Sequence, residues 1–168
     1  MKKIHSLGKE YGFRIIEDAS HAIGGKYLNK PIGCCQYSDI TVFSFHPVKI
    51  ITTAEGGLAT TNDAKLAEKM HLLRSHGISR DQNLFTKISE GGWYYQQVEL
   101  GFNYRMSDIN AALGISQLNR LGQYVTKRSE IARWYDDQFM NTAVNPLIQV
   151  ENSESSYHLY VVRVKNND

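Results

Sequence analysis

The spacing of apolar positions near the N-terminus predicts a helix and then three strands. The segment IHSLGKEYG has apolar residues at helical intervals, and Gly12 marks its predicted end. The run FRIIED at 13–18 predicts a short buried strand with two acidic residues at its carboxyl end. The runs at 39–45 and 57–61 are rich in β-branched or apolar residues, and each predicts a further strand.

The middle of the chain predicts a capped helix and a long loop. Asn62 or Asp63 can cap a helix from Ala64 to His76, which Gly77 closes. Residues 78–100 are polar and irregular around a GGWYY segment. A loop of this length is commonly functional, and an ordinary surface excursion fits the pattern equally well.

The C-terminal part predicts two more helices and a last strand. Ser107 is the predicted N-cap of a helix that begins DINAALGISQLNRL. Gly122 predicts a bend before a second amphipathic helix, from Val125 to Met140. The residues from Tyr157 to Lys165 alternate as a strand does, and they follow a polar linker.

The alternation of strands with helices predicts an α/β fold built on a layered sheet. Ligands of such sheets bind beyond the carboxyl ends of the strands. Asp18 ends the first predicted strand, and Ser44 lies near the end of the second. Two polar side chains from neighbouring strands are therefore expected at one edge of the sheet.

Composition and charge narrow the class of protein. The 168 residues are 42% hydrophobic and 21% charged, which is typical of a folded globular domain. The net charge of +2 comes from dispersed residues, so a nucleic-acid partner is not predicted. No apolar stretch approaches the ~20 residues of a membrane span, and the histidines lack metal-ligand spacing. Because Cys34 and Cys35 are adjacent, a disulfide is disfavoured, and we predict reduced thiols in a cytoplasmic protein.

The segment SFHPVKIITTAEGG, residues 44–57, places Lys49 between Val48 and two isoleucines. An apolar setting disfavours the charged ammonium, lowers its pKa and makes the amine a better nucleophile toward a carbonyl. The alternative is an ordinary lysine whose head group reaches solvent. With Asp18 and Ser44, Lys49 completes a set: an acid for a pyridinium nitrogen, a hydroxyl for a phosphate and an amine for an aldehyde. This set predicts a pyridoxal phosphate site.

Three motifs carry a resemblance to a known family. EDASHA (17–22), SFHPVKIITTAEGG (44–57) and LGFNYRMSDINAALG (100–114) resemble, in order, the signatures of the sugar aminotransferases of the DegT/DnrJ/EryC1/StrS family. The His-Pro-Val-Lys variant most resembles the branch that aminates C4 of a UDP-linked 4-keto sugar on the route to pseudaminic acid. In one branch of the family histidine replaces the lysine and the outcome is dehydration, and Lys49 disfavours that branch.

The resemblance implies a role for each of five residues. Lys49 resembles the Schiff-base lysine that holds the cofactor aldehyde and moves a proton during transfer. Asp18 resembles the carboxylate that keeps the pyridinium nitrogen protonated, and Ser44 resembles the serine whose hydroxyl binds the cofactor phosphate. His21 occupies the position beside the phenolic oxygen of the cofactor. Asn103 resembles the asparagine that reaches across a dimer interface to the phosphate of the other subunit.

The resemblance also implies a fold, a domain organisation and partners. The implied fold is the PLP-dependent transferase fold of type I, similar to aspartate aminotransferase. Residues 1–141 would form part of the large PLP-binding domain with its connecting helices, and 142–168 would begin the small C-terminal domain. The implied protein is a homodimer that takes a nucleotide-sugar substrate and an amino donor, glutamate. Arg105 either supports the Asn103 loop or is a structural ion-pair residue.

Members of this family are much longer than this chain, so the chain resembles a fragment. The resemblance places a phosphate-binding turn and a stacking aromatic before Met1, and most of the small domain after Asp168. We therefore predict little or no aminotransferase activity for the chain alone. The alternative function is a catalytically silent fragment that binds a homologous chain through the dimer surface. A nucleotide-binding Rossmann enzyme is disfavoured because no G-x-G-x-x-G opens a helix after the first strand.

Overall fold

The computed structural model describes residues 1–164. Within this range the α-helices are α1 (Lys2–Tyr11), α2 (Ala64–Leu73), α3 (Asp108–Leu118) and α4 (Leu121–Phe139). The first five strands are β1 (Ile16–Asp18), β2 (Lys26–Tyr27), β3 (Lys30–Pro31), β4 (Ile40–Ser44) and β5 (Gly57–Thr60). The later ones are β6 (Ile78–Ser79), β7 (Gln96–Gln97), β8 (Val144–Pro146), β9 (Ser153–Glu154) and β10 (Val162–Val164). A 3-10 turn covers Gln82–Leu84, and none of the described helices is both long and apolar enough to cross a membrane.

The main sheet has the strand order β1-β4-β5 and sets the geometry of the site. β1 and β4 are parallel, with Asp18 paired to Val42, whereas β4 and β5 are antiparallel, with Ser44 paired to Gly57. Because β1 and β4 run the same way, their carboxyl ends meet at one edge. Asp18 and Ser44 therefore lie at the same edge, as the sequence predicts.

The hydrophobic core lies directly behind that edge. It consists of five buried residues: Ala19, Phe43, Phe45, Ile50 and Ile51. Leu121 and Tyr124 of α4 pack against this cluster, together with Met106. Burying an isoleucine side chain contributes about 1.5–3 kcal/mol to folding, so Ile50 and Ile51 anchor the residues that surround Lys49.

Three smaller sheets connect distant parts of the chain. β2 pairs with β3 as a hairpin and also with β9, so the C-terminal part is joined to the segment after β1. β8 pairs with β10, and β6 pairs with β7. The β6–β7 pair and the 3-10 turn lie within residues 78–100, which are therefore less irregular than predicted.

The prediction of a buried strand at 13–18 is wrong in extent and burial. The strand covers only Ile16–Asp18, and Ile16 is 67% exposed. The physical reason is its position, because β1 is an edge strand of a three-stranded sheet. The helix before it, α1, ends as predicted at Gly12, which has the left-handed φ of 73° typical of a helix C-cap.

Two helix boundaries also differ from the prediction. α2 is capped by Asp63 as expected, but it ends at Leu73 instead of His76. His76 has a φ of 64°, a left-handed value that a continuing α-helix cannot contain. Gly122 lies inside α4, and the break after α3 falls at Asn119 and Arg120.

The predicted strand from Tyr157 to Lys165 is mostly irregular. Only Val162–Val164 is extended and paired, and Lys165 lies outside the described residues. Tyr157 has a φ of 50°, a left-handed conformation that interrupts any strand at this position. The chain therefore turns here instead of running straight along a sheet.

Candidate functional site

Asp18 lies at the end of β1 with an exposed carboxylate. Its Oδ1 accepts hydrogen bonds from the hydroxyl of Ser20 at 2.6 Å and from the Ser20 backbone N–H at 3.0 Å. These two bonds are the main reason that the pKa of Asp18 lies below its ordinary value, and positive charge on His21 and Lys49 lowers it further. The carboxylate is therefore ionised and can balance a cationic ligand. Ser20 was not predicted, although an Asp-x-Ser turn after a strand is a recognisable signal.

Lys49 lies in a turn after β4, where its backbone N–H donates to the carbonyl of His46 at 2.9 Å. Its flanks differ from the prediction: Ile50 and Ile51 are buried, whereas Val48 is 63% exposed. The turn explains this difference, because successive residues of a turn point in different directions and only the following isoleucines reach the core. The Lys49 side chain itself is half-buried. Its positive charge lowers the pKa of both Asp18 and His158, which shows that the three side chains share one neighbourhood.

Ser44 is the last residue of β4 and is half-buried at the same edge of the sheet. Its hydroxyl oxygen accepts a long hydrogen bond of 3.5 Å from the backbone N–H of His46. The hydroxyl proton remains available for an acceptor such as a phosphate oxygen. Ser44 and Lys49 are joined by the same turn, so the turn sets the distance between a hydroxyl and an amine.

The loop after Lys49 is held by a dense set of backbone hydrogen bonds. The backbone N–H of Phe45 donates to Gly56 at 2.9 Å, and the Thr53 N–H donates back to Phe45 at 3.0 Å. Helix α3 supports the loop from outside, since the Asn110 amide donates to the Glu55 carbonyl at 3.1 Å. A Cβ added at Gly114 of α3 would approach Thr53 to 2.7 Å, so the helix and the loop are in close contact. The loop therefore places Lys49 on a rigid base.

His21 and His158 form an aromatic pair beside Asp18 and Lys49. Their ring centroids lie 4.2 Å apart with a 34° tilt between the planes. Burial lowers the pKa of His158, and positive charge on His21, Lys49 and Arg128 lowers it further. His21 belongs to the predicted set, whereas His158 does not. Its only sequence signal is its place in a polar and aromatic stretch, SSYHLY, that follows a linker.

Asn103 and Arg105 lie on the segment between β7 and α3. The segment around Asn103 is fixed to the end of α2, because the Phe102 N–H donates to Leu73 at 2.7 Å and Asn103 bridges Ser75. Both Asn103 and Arg105 are exposed. Arg105 makes no ion pair with any other of residues 1–164. The contact of Asn103 with another subunit remains a prediction.

The residues at the sheet edge fit pyridoxal phosphate. The ionised Asp18 carboxylate suits a protonated ring nitrogen, the Lys49 amine suits an aldehyde, and the Ser44 hydroxyl suits a phosphate oxygen. A ring nitrogen of His158, Nδ1, is buried and has no hydrogen-bond partner among residues 1–164. No metal-binding cluster of His, Cys, Asp and Glu occurs in this same range. Fold and site together define the class: an α/β chain with a candidate cofactor site at the carboxyl ends of its strands.

Comparison with known proteins identifies the family. The sequence profile of the DegT/DnrJ/EryC1/StrS aminotransferase family matches residues 1–168, and the chain belongs to this family. The predicted family and the predicted α/β fold of the PLP-dependent transferases are thereby confirmed.

Individual relatives agree with this assignment. The chain is 42% identical over 163 residues to a UDP-4-amino-4,6-dideoxy-N-acetyl-beta-L-altrosamine transaminase of Campylobacter jejuni. The aligned region covers 96% of this chain and 40% of that protein. It matches the structure of Helicobacter pylori PseC, an aminotransferase involved in the biosynthesis of pseudoaminic acid. That match has a TM-score of 0.86 and 36% sequence identity, and it covers 98% of this chain and 42% of PseC. It also matches the PLP-form of Spr1654, a sugar aminotransferase of Streptococcus pneumoniae, with a TM-score of 0.80 and 33% sequence identity. This match covers 98% of this chain and 42% of Spr1654. The chain thus spans about two fifths of the length of these relatives.

Proposed function

We propose that this chain carries the cofactor-binding part of a pyridoxal phosphate-dependent aminotransferase that acts on a keto-sugar nucleotide. The observation that supports the proposal is the position of Asp18 and Ser44 at the carboxyl ends of the neighbouring parallel strands β1 and β4, where positive charge on His21 and Lys49 lowers the pKa of Asp18. The substrate we propose is a UDP-linked 4-keto-6-deoxy N-acetylhexosamine, aminated at C4. The name of the Campylobacter jejuni relative supports this choice.

Each residue has a definite task in this proposal. When bound, pyridoxal phosphate supplies an aldehyde carbon and an electron-withdrawing ring. The Nζ of Lys49 would hold that aldehyde, and the amine would serve as the base that moves a proton at the substrate carbon. The Asp18 carboxylate holds the ring nitrogen in its protonated form. The Ser44 hydroxyl would donate to the phosphate, and the His21 ring would contact the phenolic oxygen.

The hydrogen bonds of Asp18 suit this task. Both donors come from Ser20 and both go to Oδ1, so Oδ2 accepts no hydrogen bond from the rest of residues 1–164 and can face a ligand. A carboxylate with a lowered pKa does not take the proton from a ring nitrogen, and a charged acceptor stabilises the protonated ring. A neutral acid at this position would lack that effect.

We propose glutamate as the amino donor and a homodimer as the working form, with Asn103 reaching the phosphate of the other subunit. The exposed position of Asn103, on a segment fixed by backbone hydrogen bonds, supports a role in contact with another chain. We also propose a cytoplasmic location, which the two free cysteines support.

We propose a domain boundary near residue 141, with 142–168 belonging to the small C-terminal domain. The end of α4 at Phe139 and the pairing of β8 with β10 support this division. β9 nevertheless pairs with β2, so the two parts share one small sheet.

Covalent trapping of the cofactor tests the proposal. The protein, in a full-length context, is incubated with pyridoxal phosphate and reduced with borohydride. The labelled peptide is then identified by mass spectrometry. We expect the label on Lys49 and its loss in a Lys49→Arg variant, because arginine keeps the charge and cannot bind the aldehyde. Lys26 is a useful internal reference, since its ammonium is held by Glu154 at 2.9 Å. A label on Lys26 or on another lysine would contradict the proposal.

A specific observation favours the second function, a silent chain that associates with a homologous chain. Helix α3 exposes large apolar side chains, among them Ile109 at 84% and Ile115 at 64%. Apolar surface of this kind marks an interaction site. Visible absorption spectroscopy distinguishes the two functions. The aminotransferase develops an absorption band with pyridoxal phosphate, and the silent chain does not.

A further inference from the structure

The second histidine of the site, His158, has no role in the proposed chemistry, yet the fold places its ring directly against that of His21. It lies between β9 and β10, far along the chain from Asp18 and Lys49. Its ring nevertheless packs against His21, with 4.2 Å between the ring centroids. A contact between residues so distant in sequence requires a specific arrangement of the intervening chain.

The backbone before His158 is fixed by three features. Tyr157 has a φ of 50°, which is unusual for a bulky residue and reorients the chain at this point. The Arg128 guanidinium of α4 donates to the Tyr157 carbonyl at 2.9 Å and to the His158 carbonyl at 3.4 Å. Ser156, two residues before His158, is only 2% exposed. The backbone at His158 is therefore held by α4 through Arg128.

The state of the His158 ring also suits a packing role. Burial, and then the positive charges of His21, Lys49 and Arg128, lower its pKa, which favours the neutral ring. A neutral imidazole can stack on His21 without the repulsion that two imidazolium rings would suffer. His21 itself is exposed on its other side and has no other aromatic contact within residues 1–164.

We propose that His158 is a positioning residue that holds the imidazole of His21 in place by stacking on it. The ring of His21 has two χ angles and an exposed face, so without this contact it would sample other rotamers. This inference rests on the proposed function, in which His21 lies beside the phenolic oxygen of the cofactor. It adds a residue from the C-terminal part of the chain to the site and links that part to α4 through Arg128.

Two variants of the intact protein test the proposal. His158→Phe keeps an aromatic ring and removes both nitrogens, whereas His158→Ala removes the ring. Tyr160→Phe is the matched control, because it removes the hydrogen bond to Asp136 and leaves the histidine pair untouched. The first readout is NMR of the cofactor-free protein with labelled histidines, in which the ring of His158 shifts the resonances of His21.

We expect His158→Ala to abolish the ring-current shift of His21, and His158→Phe and Tyr160→Phe to retain one. The second readout is the affinity for pyridoxal phosphate. An aromatic pair is worth up to about a tenfold change in binding, so His158→Ala should weaken cofactor binding about three- to tenfold, while His158→Phe stays within about twofold of the parent.

The outcomes separate this inference from the proposed function. If His158→Ala leaves the His21 resonances unchanged, or if His158→Phe is as impaired as His158→Ala, the positioning role is wrong. If the parent protein binds no pyridoxal phosphate, the proposed function fails. In that case the NMR comparison still decides whether His158 holds His21.

Discussion

Replacing Asp18 by asparagine removes the negative charge of the site and little else. The Oδ1 of asparagine can accept the same two hydrogen bonds from the hydroxyl and backbone N–H of Ser20. The turn after β1 should therefore keep its conformation. What is lost is the charge that the lowered pKa of Asp18 maintains at neutral pH, together with its attraction for Lys49 and for a protonated ring nitrogen.

The expected loss of turnover in Asp18→Asn follows from the loss of this one charge. Removing one preorganised electrostatic partner from an active site typically costs about 10²–10³ in turnover. We expect Asp18→Asn, tested in a full-length context, to lower turnover by a factor in that range, because a ring without a protonated nitrogen withdraws electrons poorly. Thermal unfolding should change little, since the carboxylate is exposed and its hydrogen bonds are retained.

The assay follows the transfer of an amino group from glutamate to a UDP-linked 4-keto sugar, with the visible band of the bound cofactor recorded in parallel. Asp81→Asn is a matched control: Asp81 is also exposed, and its Oδ1 accepts a 2.9 Å bond from the backbone N–H two residues later. The control should retain full turnover. Near-normal turnover of Asp18→Asn, with the cofactor bound, would refute the role of this carboxylate.

Three further predictions concern the base of the site, its pH dependence and the isolated chain. Ile51→Ala should lower the free energy of unfolding by about 2–5 kcal/mol, because Ile51 is 3% exposed, whereas the exposed Val48→Ala should change it by less than about 0.5 kcal/mol in chemical denaturation. The Ile15 N–H and then Arg14 lower the pKa of Asp39, so its contribution to stability is present above the ordinary carboxyl pKa of about 4 and is lost as the pH falls further. Asp39→Asn should remove that acid-dependent loss. Residues 1–168 alone should show little amino transfer, because Asp18 and His21 are open to water, and turnover comparable to that of a full-length relative would contradict this.

Much of the local structure could be predicted because its signals lie in adjacent residues. Gly12 ends α1, Asp63 caps α2, and Ser107 caps α3 through a bond to the Asn110 N–H. The run at 39–45 becomes the central strand β4. Each of these features depends on backbone conformation and short-range hydrogen bonds, which neighbouring side chains determine.

Errors arose where distant parts of the chain decide the outcome. Ile16 looked like a buried strand residue and is exposed, since β1 lies at the edge of its sheet. Val48 looked like an apolar neighbour that would desolvate Lys49, and the turn directs it to solvent. Burial depends on which faces meet in the folded chain, and apolar character alone does not specify that.

The sequence by itself determined the family, because Asp18, Ser44 and Lys49 stand in motifs whose spacing is fixed by a strand and a single turn. The tertiary structure alone decided that His158 joins them. Its ring stacks on His21 from a left-handed turn at Tyr157, and Arg128 of α4 donates a hydrogen bond to the carbonyl of that turn. Short-range spacing can be read along a chain, whereas a contact between distant segments exists only once the helices and sheets between them have packed.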